Sequence, residues 1–463
     1  MNKTRNYLTF FAFLTVALQG CEKDWLAAKN NLNRVVPVTL ADARAILRSS
    51  TLLNIGNDQI GMSLLASDDL YLQTATYLSR SEKERNIYVW SPAIDSRSTP
   101  IAEWNDGYEQ VLYANVALET VAGVERNAAN AMEHDEVRGA ALFFRAKAFY
   151  NLLQLFAPAW DPDKDNSRAG IPLRLSSDPN PKTMRASVSD GYRQVMDDLS
   201  MASQLLTTRP ALKTDPSKQA AFGLLARCLL GMADYRGAVL YADSALQLES
   251  ALLDYNALLD RTSMQYPFEP QHEEVIFDAI IGPNYVPVRF NYCMVDSTLF
   301  AGYRDDDLRK QLFFAVNSQG GPSFRGSYSG ADNRFSGIAT DELFLIRAEC
   351  SARLGNIDDA LEDINTLLAH RMDRSSFVPY GESDQKKLLD RILVERRKEL
   401  VFRGQRWTDL RRLNAEPARA VTLVREIDGS NYRLPPESSR YVFPIPEYVI
   451  DETGLTQNDR RDD

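Results

Sequence analysis

Cysteine and histidine are scarce in this 463-residue chain, at four and three copies. His134, His272 and His370 stand far apart, so neither a zinc-type ligand set nor a histidine-based catalytic arrangement is present. Setting Cys21 aside, Cys228, Cys293 and Cys350 are odd in number and widely spaced, which excludes a disulfide framework. There is no nucleophile elbow, phosphate-binding loop or metal motif, and no cofactor is expected. Beyond residue 20 no apolar run is long enough to cross a membrane. Positive charge is also in deficit. The net charge of −10 argues against nucleic acid as a partner, because that needs a basic patch.

The single apolar run of note is at the start. Lys3 and Arg5 precede an almost wholly apolar stretch over residues 7–18, which ends in Leu18-Gln19-Gly20-Cys21. Basic start, short apolar run and small residue, in that order, describe a secretory signal peptide. No A-x-A cleavage triplet is present; "LQGC" instead resembles a bacterial lipobox, with Gln19 in place of the more usual small or aliphatic residue. On that resemblance residues 1–20 are removed and Cys21 carries lipid. Several acyl chains on one cysteine would hold a protein firmly, since each buried methylene adds about 0.8 kcal/mol. Loss of Lys3 and Arg5 takes the net charge from −10 to −12.

Most of the remainder has apolar residues at three- and four-residue spacing. The pattern predicts helices over residues 104–124, 136–156, 190–206, 218–230, 235–248, 341–354, 358–370 and 385–402. Strict alternation is rare, which argues against a large sheet. Two stretches repeat each other. "FGLLARCLLGMADYRGAVLYADSAL" sets Ala226 and Ala238 twelve residues apart across a polar turn, and "FLIRAECSARLGNIDDALEDINTLL" does the same with Ala348 and Ala360. Small residues there let antiparallel helices approach closely, as in tetratricopeptide hairpins. Cys228 and Cys350 fall at equivalent positions, as buried packing thiols would. Residues 54–100 and 283–337 are different: polar, irregular and rich in aromatics, with ten Phe and Tyr in the second. Long irregular segments are commonly functional, and aromatic content opposes disorder.

The C-terminal stretch "ERRKELVFRGQRWTDLRRL" (residues 395–413) places Arg396 within an apolar stripe, where its guanidinium must find Glu399, Asp409 or another acceptor. This predicts a charged lock between helices. The stretch also resembles the most recognisable motif of the SusD/RagB family of surface nutrient-binding lipoproteins. Other segments resemble that family in the same order: "CEKDWL", "WNDGYEQVLYANVALE", "RAKAFYNLLQLFAPA" with "GIPL", "VSDGYRQVMDDLSMA" and "YVFPIPEYVIDETGLTQN". Arg403 departs from it, standing where the family usually has an acid, as do Ala157, Val449 and Thr453.

The resemblance implies a mainly α fold over residues 21–463, a tetratricopeptide-like scaffold of four helix pairs carrying irregular ligand-binding loops. It implies a lipid-anchored protein at the outer-membrane surface, capping a SusC-like TonB-dependent barrel and delivering an oligosaccharide to it. Some members of the family carry peptides instead. Sugars pack C–H faces on aromatic rings and need hydrogen-bonding partners for their hydroxyls. The irregular segments supply both, giving a shortlist of Tyr71, Arg80, Trp90, Asn284, Tyr285, Tyr292 and Tyr303. Trp90 could equally fasten the N-terminal segment to the scaffold. Two other classes compete. A glycosidase would need two carboxylates about 5–9.5 Å apart across a cleft. The candidates Asp68-Asp69 and Asp305-Asp306-Asp307 are adjacent in sequence, which disfavours catalysis. A purely protein-binding repeat scaffold would leave the lipobox and the aromatic loops unexplained.

Overall fold

Helix propagation is supported by a buried stripe, which the long helices here all have, and by a capped first turn, which four of them have. In the computed structural model, which describes residues 37–58, 60–94, 97, 99–282 and 285–459, the compact unit begins at Thr39. Cys21 and Asn284 lie outside the described residues. Among the described residues eight helices form the scaffold: α1 (Ala102–Ala122), α2 (Ala131–Phe156), α3 (Val188–Leu205), α4 (Lys218–Gly231), α5 (Tyr235–Leu248), α6 (Thr340–Leu354), α7 (Ile357–Ala369) and α8 (Gln385–Glu399). A short α9 (Arg406–Leu413) follows. Ser187, Ser217, Asp234 and Asp384 cap α3, α4, α5 and α8 by accepting first-turn backbone N–H groups. Gly355 closes α6 in the left-handed region at φ 86°.

The helices stack in chain order, each on the next from α1 to α7, with α8 returning against α6 and α7. Ala226, Ala238, Ala348 and Ala360 have no exposed surface, as close approach of the repeated hairpins requires. Cys228 and Cys350 are buried free thiols, and burial pushes both up from the usual thiol range. Strands occur only as two-stranded pairs among the described residues. In one, Leu423–Ile427 pairs with Ser430–Leu434 across Asp428-Gly429, both at positive φ, as a tight hairpin turn demands.

The predicted lock is present and larger than expected. Arg396 Nε donates to Asp409 at 2.9 Å, and Trp407 is buried against Tyr441 and Phe443. Around it runs a sealed ionic network. Arg309 donates to Asp307 at 2.8 Å, Glu395 at 2.5 Å and Glu399 at 2.9 Å. Arg371 bridges Glu399 and Glu274, each at 2.7 Å. The departure at Arg403 is compensated by Asp341, which accepts two bonds from it at 2.9 and 2.7 Å, while Tyr328 lies 4.1 Å beneath the guanidinium. The facing guanidinium holds Asp341 down to about 2 despite burial.

The same motif ties down the first irregular segment. Arg406 grips Asp68 at 2.7 and 2.8 Å, and Arg397 donates to the Asp68 carbonyl at 2.8 Å. From the hairpin, Arg425 lies 3.5 Å over the Tyr88 ring and 4.5 Å over Trp90, and donates to the carbonyls of Leu65 and Ser67. Asp68 and Asp307 thus spend their charge on arginines rather than facing each other across a cleft.

Candidate ligand-binding site

A two-residue strand decides which shortlisted side chains face outward. β1 (Leu70–Tyr71) pairs antiparallel with β2 (Met294–Val295), joining the two irregular segments. Leu70 and Val295 point inward, and the alternation of a strand turns Tyr71 out, 40% exposed. Its hydroxyl reaches the sulfur of Met294 at 3.3 Å. Met294 sits over Gly321, where a Cβ would collide with it. Just before β2, Tyr292 is 37% exposed, and the Arg80 guanidinium lies 5.0 Å from its ring centroid. Tyr71, Arg80 and Tyr292 are therefore brought together on one surface.

Polar groups complete the patch. Gln73 donates to the Gln319 carbonyl at 3.3 Å, and Gln319 donates to the Asn291 carbonyl at 2.9 Å. The Gln319 amide oxygen is buried and has no hydrogen-bond partner. Asn317 fixes the loop beneath by donating to the carbonyls of Phe290 and Cys293 at 2.9 and 3.0 Å. Gln73, Asn291 and Gln319 were not singled out from sequence. They lie inside the two irregular segments, but nothing local distinguishes them from other loop amides.

Three shortlisted aromatics belong elsewhere. Trp90, Tyr285 and Tyr303 are 2%, 2% and 1% exposed. Trp90 donates its indole N–H to the Ala66 carbonyl at 2.8 Å, which makes it the fastening of the N-terminal segment. The Tyr285 hydroxyl donates to Glu103 at 3.1 Å and the Tyr303 hydroxyl to the Lys398 carbonyl at 2.7 Å. Each has its polar tip occupied and its ring sealed, so none can stack on a ligand. Of the ten aromatics at 283–337, only Phe290, Tyr292 and Phe300 escape full burial; the rest build core around Phe313, Phe314 and Phe324.

What the patch can do chemically is limited and specific. It offers two tyrosine faces, one guanidinium and several amides, on a surface without paired free carboxylates. That suits reversible stacking and hydrogen bonding to a polar ligand.

Comparison with known proteins agrees with the architecture. The chain resembles a SusD superfamily protein from Bacteroides thetaiotaomicron with a TM-score of 0.73 and 22% identity, covering 91% of this chain and all of that one. A SusD-like carbohydrate binding protein from Bacteroides vulgatus matches with a TM-score of 0.68 and 19% identity, over 90% of this chain and 97% of its own. These likenesses concern the fold. In sequence, a SusD-like protein of Formosa agariphila is 27% identical over 201 residues, 42% of this chain and 36% of that relative's length. One family model, described as starch-binding and associating with the outer membrane, matches residues 24–230, and another, described as the SusD family, matches residues 340–460. With both models aligned in order on the stacked helical fold, the chain belongs to the SusD family.

Proposed function

We propose that this protein captures oligosaccharides through the patch formed by Tyr71, Arg80 and Tyr292 and passes them to a SusC-like TonB-dependent barrel. It does so from the outer-membrane surface, with residues 1–20 removed and the 21–463 domain tethered by acylated Cys21. The convergence of partly exposed stacking and cationic groups from two sequence-distant segments on one surface carries the reading. The family's description as starch-binding supports a saccharide as cargo. The role is binding without turnover: the patch holds no acid–base pair, and the carboxylates nearest in sequence are tied to arginines.

Stacking a sugar on a ring contributes about 0.5–1.5 kcal/mol beyond burial, by analogy with aromatic pairs. Two rings and a few hydrogen bonds therefore give a dissociation constant of roughly micromolar to millimolar. A glycan array with the purified full chain, repeated with the Tyr71→Ala/Tyr292→Ala double variant, tests this. The wild type should retain a saccharide, release it chemically unchanged, and lose it in the double variant. Retention of the same saccharide by the double variant would remove the patch from the site, and turnover of it would overturn the non-catalytic role.

A further inference from the structure

The pairing of β1 with β2 is only two residues long on each side. A strand pair that short is marginal in water, so its register depends on what is fastened to its ends. At one end the fastening is clear. Asp68-Asp69 lead into β1 and Asp296 follows β2, and the Asp296 N–H donates to the Asp69 carbonyl at 2.8 Å.

Arg397, near the end of α8, reaches all three acids. Its Nη2 donates to the Asp68 carbonyl at 2.8 Å and lies 3.2 Å from the Asp68 carboxylate. Its Nε donates to Asp69 Oδ1 at 3.3 Å, and Asp296 Oδ1 stands 3.7 Å away. Asp296 also caps the short helix Ser297–Ala301, accepting from the Leu299 N–H at 2.8 Å. Arg406 has a narrower role: it takes both Asp68 oxygens and ties α9 to the first segment, whereas Arg397 faces acids from both segments. Burial, with the Asp68 charge beside it, pushes the Asp69 carboxyl up from its usual range, and the Arg397 guanidinium opposes that shift.

We propose that Arg397 is a positioning residue for the ligand patch, clamping the joined ends of β1 and β2 to α8 so that Tyr71 and Tyr292 share one surface, a role that rests on the patch being the ligand site proposed above. Among the described residues the polar partners of Arg397 are Asp68, Asp69 and Asp296, not Tyr71, Arg80 or Tyr292, so it acts through the strands rather than on the sugar.

Two measurements on the full chain test this role. The first needs no sugar. Hydrogen exchange, read peptide by peptide, should quicken about tenfold over residues 68–72 and 293–299 in Arg397→Ala and stay unchanged over α1 to α7. The second is calorimetric titration with maltoheptaose. Arg397→Ala should weaken binding about threefold to tenfold, the loss expected when one stacking ring is misplaced. Combined with Tyr71→Ala, it should weaken binding by less than the product of the two separate losses, because both changes remove the same contact. Arg406 still holds Asp68 in the variant, and Asp69 can take up a proton, so the fold is expected to survive. Should Arg397→Ala melt early, Arg397→Lys replaces it with the same changes expected, since a single ammonium cannot reproduce the fork that serves an acid and a carbonyl together. Unchanged exchange in the two peptides would overturn the clamp, as would fully multiplicative losses with Tyr71→Ala. Faster exchange without any wild-type binding would uphold the clamp and count against an α-glucan as cargo. Binding that Arg397→Ala leaves unweakened would overturn the positioning role and leave the patch standing.

Discussion

Arg309 and Arg80 both sit in irregular, polar stretches and both lie beside a tyrosine, yet their surroundings are opposite. Arg309 is fully buried, 5.8 Å from the Tyr303 ring, with Asp307, Glu395 and Glu399 all bonded to it. Arg80 lies over the half-open ring of Tyr292 and donates only to Ser79, at 3.1 and 2.9 Å. The first region has every charge matched inside the protein, because a buried ion without a partner would cost several kcal/mol. The second has rings and donors left over. Framework and site are thus separated by what is already satisfied, not by residue type.

The largest effect should come from breaking the framework side. Arg309→Ala would leave three buried carboxylates without their shared cation, at a cost of about 3–5 kcal/mol. Thermal or denaturant unfolding should show that loss, and a near-wild-type midpoint would mean that the network is more hydrated than its burial implies.

A smaller, pH-dependent effect sharpens the same comparison. His272 packs on Tyr328 at 4.2 Å beside the network, and both its ring nitrogens lack partners. Burial lowers it from 6.5 to about 3. Between those values the unfolded chain takes up a proton that the folded chain refuses, so this contribution to stability is complete above pH 6.5 and is lost as pH falls towards 3. The variant His272→Phe should therefore lose less stability than the wild type on going from pH 7 to pH 5, in paired melting curves. Equal losses would show that His272 is protonated within the fold.

The smallest effect on stability belongs to the open side. Tyr71 and Tyr292 are substantially exposed, so the Tyr71→Ala/Tyr292→Ala variant should melt within about 0.5 kcal/mol per substitution of the wild type while losing its ligand. A large drop in stability would move these residues into the framework with Tyr303.

Much of this molecule was legible before its structure. The eight scaffold helices follow from apolar periodicity, with ends shifted by a few residues where caps such as Ser187 and Asp384 intervene. The alanines at 226, 238, 348 and 360 announced close helix packing, and the need of Arg396 for an acid was met by Asp409. These are local or one-partner arguments. A helix shows its buried face every three or four residues, and a buried guanidinium must be paired.

The site was legible only in part. The aromatic loops hold the residues of the proposed patch, Tyr71, Arg80 and Tyr292, which the β1–β2 pairing and the Arg80–Tyr292 contact set at a partly exposed surface. The same logic also selected Trp90, Tyr285 and Tyr303, which the fold seals. An aromatic ring in a polar loop can close a core or face solvent, and its sequence neighbours are the same in either case. At Tyr71 the choice is made by pairing with Met294, more than two hundred residues away, and at Trp90 by Arg425 across a hairpin. The sequence by itself determined the helical scaffold, the family and the chemistry available to the loops, because periodicity and motif are written locally. Only the tertiary structure decided which rings and cations remain unsatisfied, because that depends on long-range partners competing for the same hydrogen bonds and the same dry space.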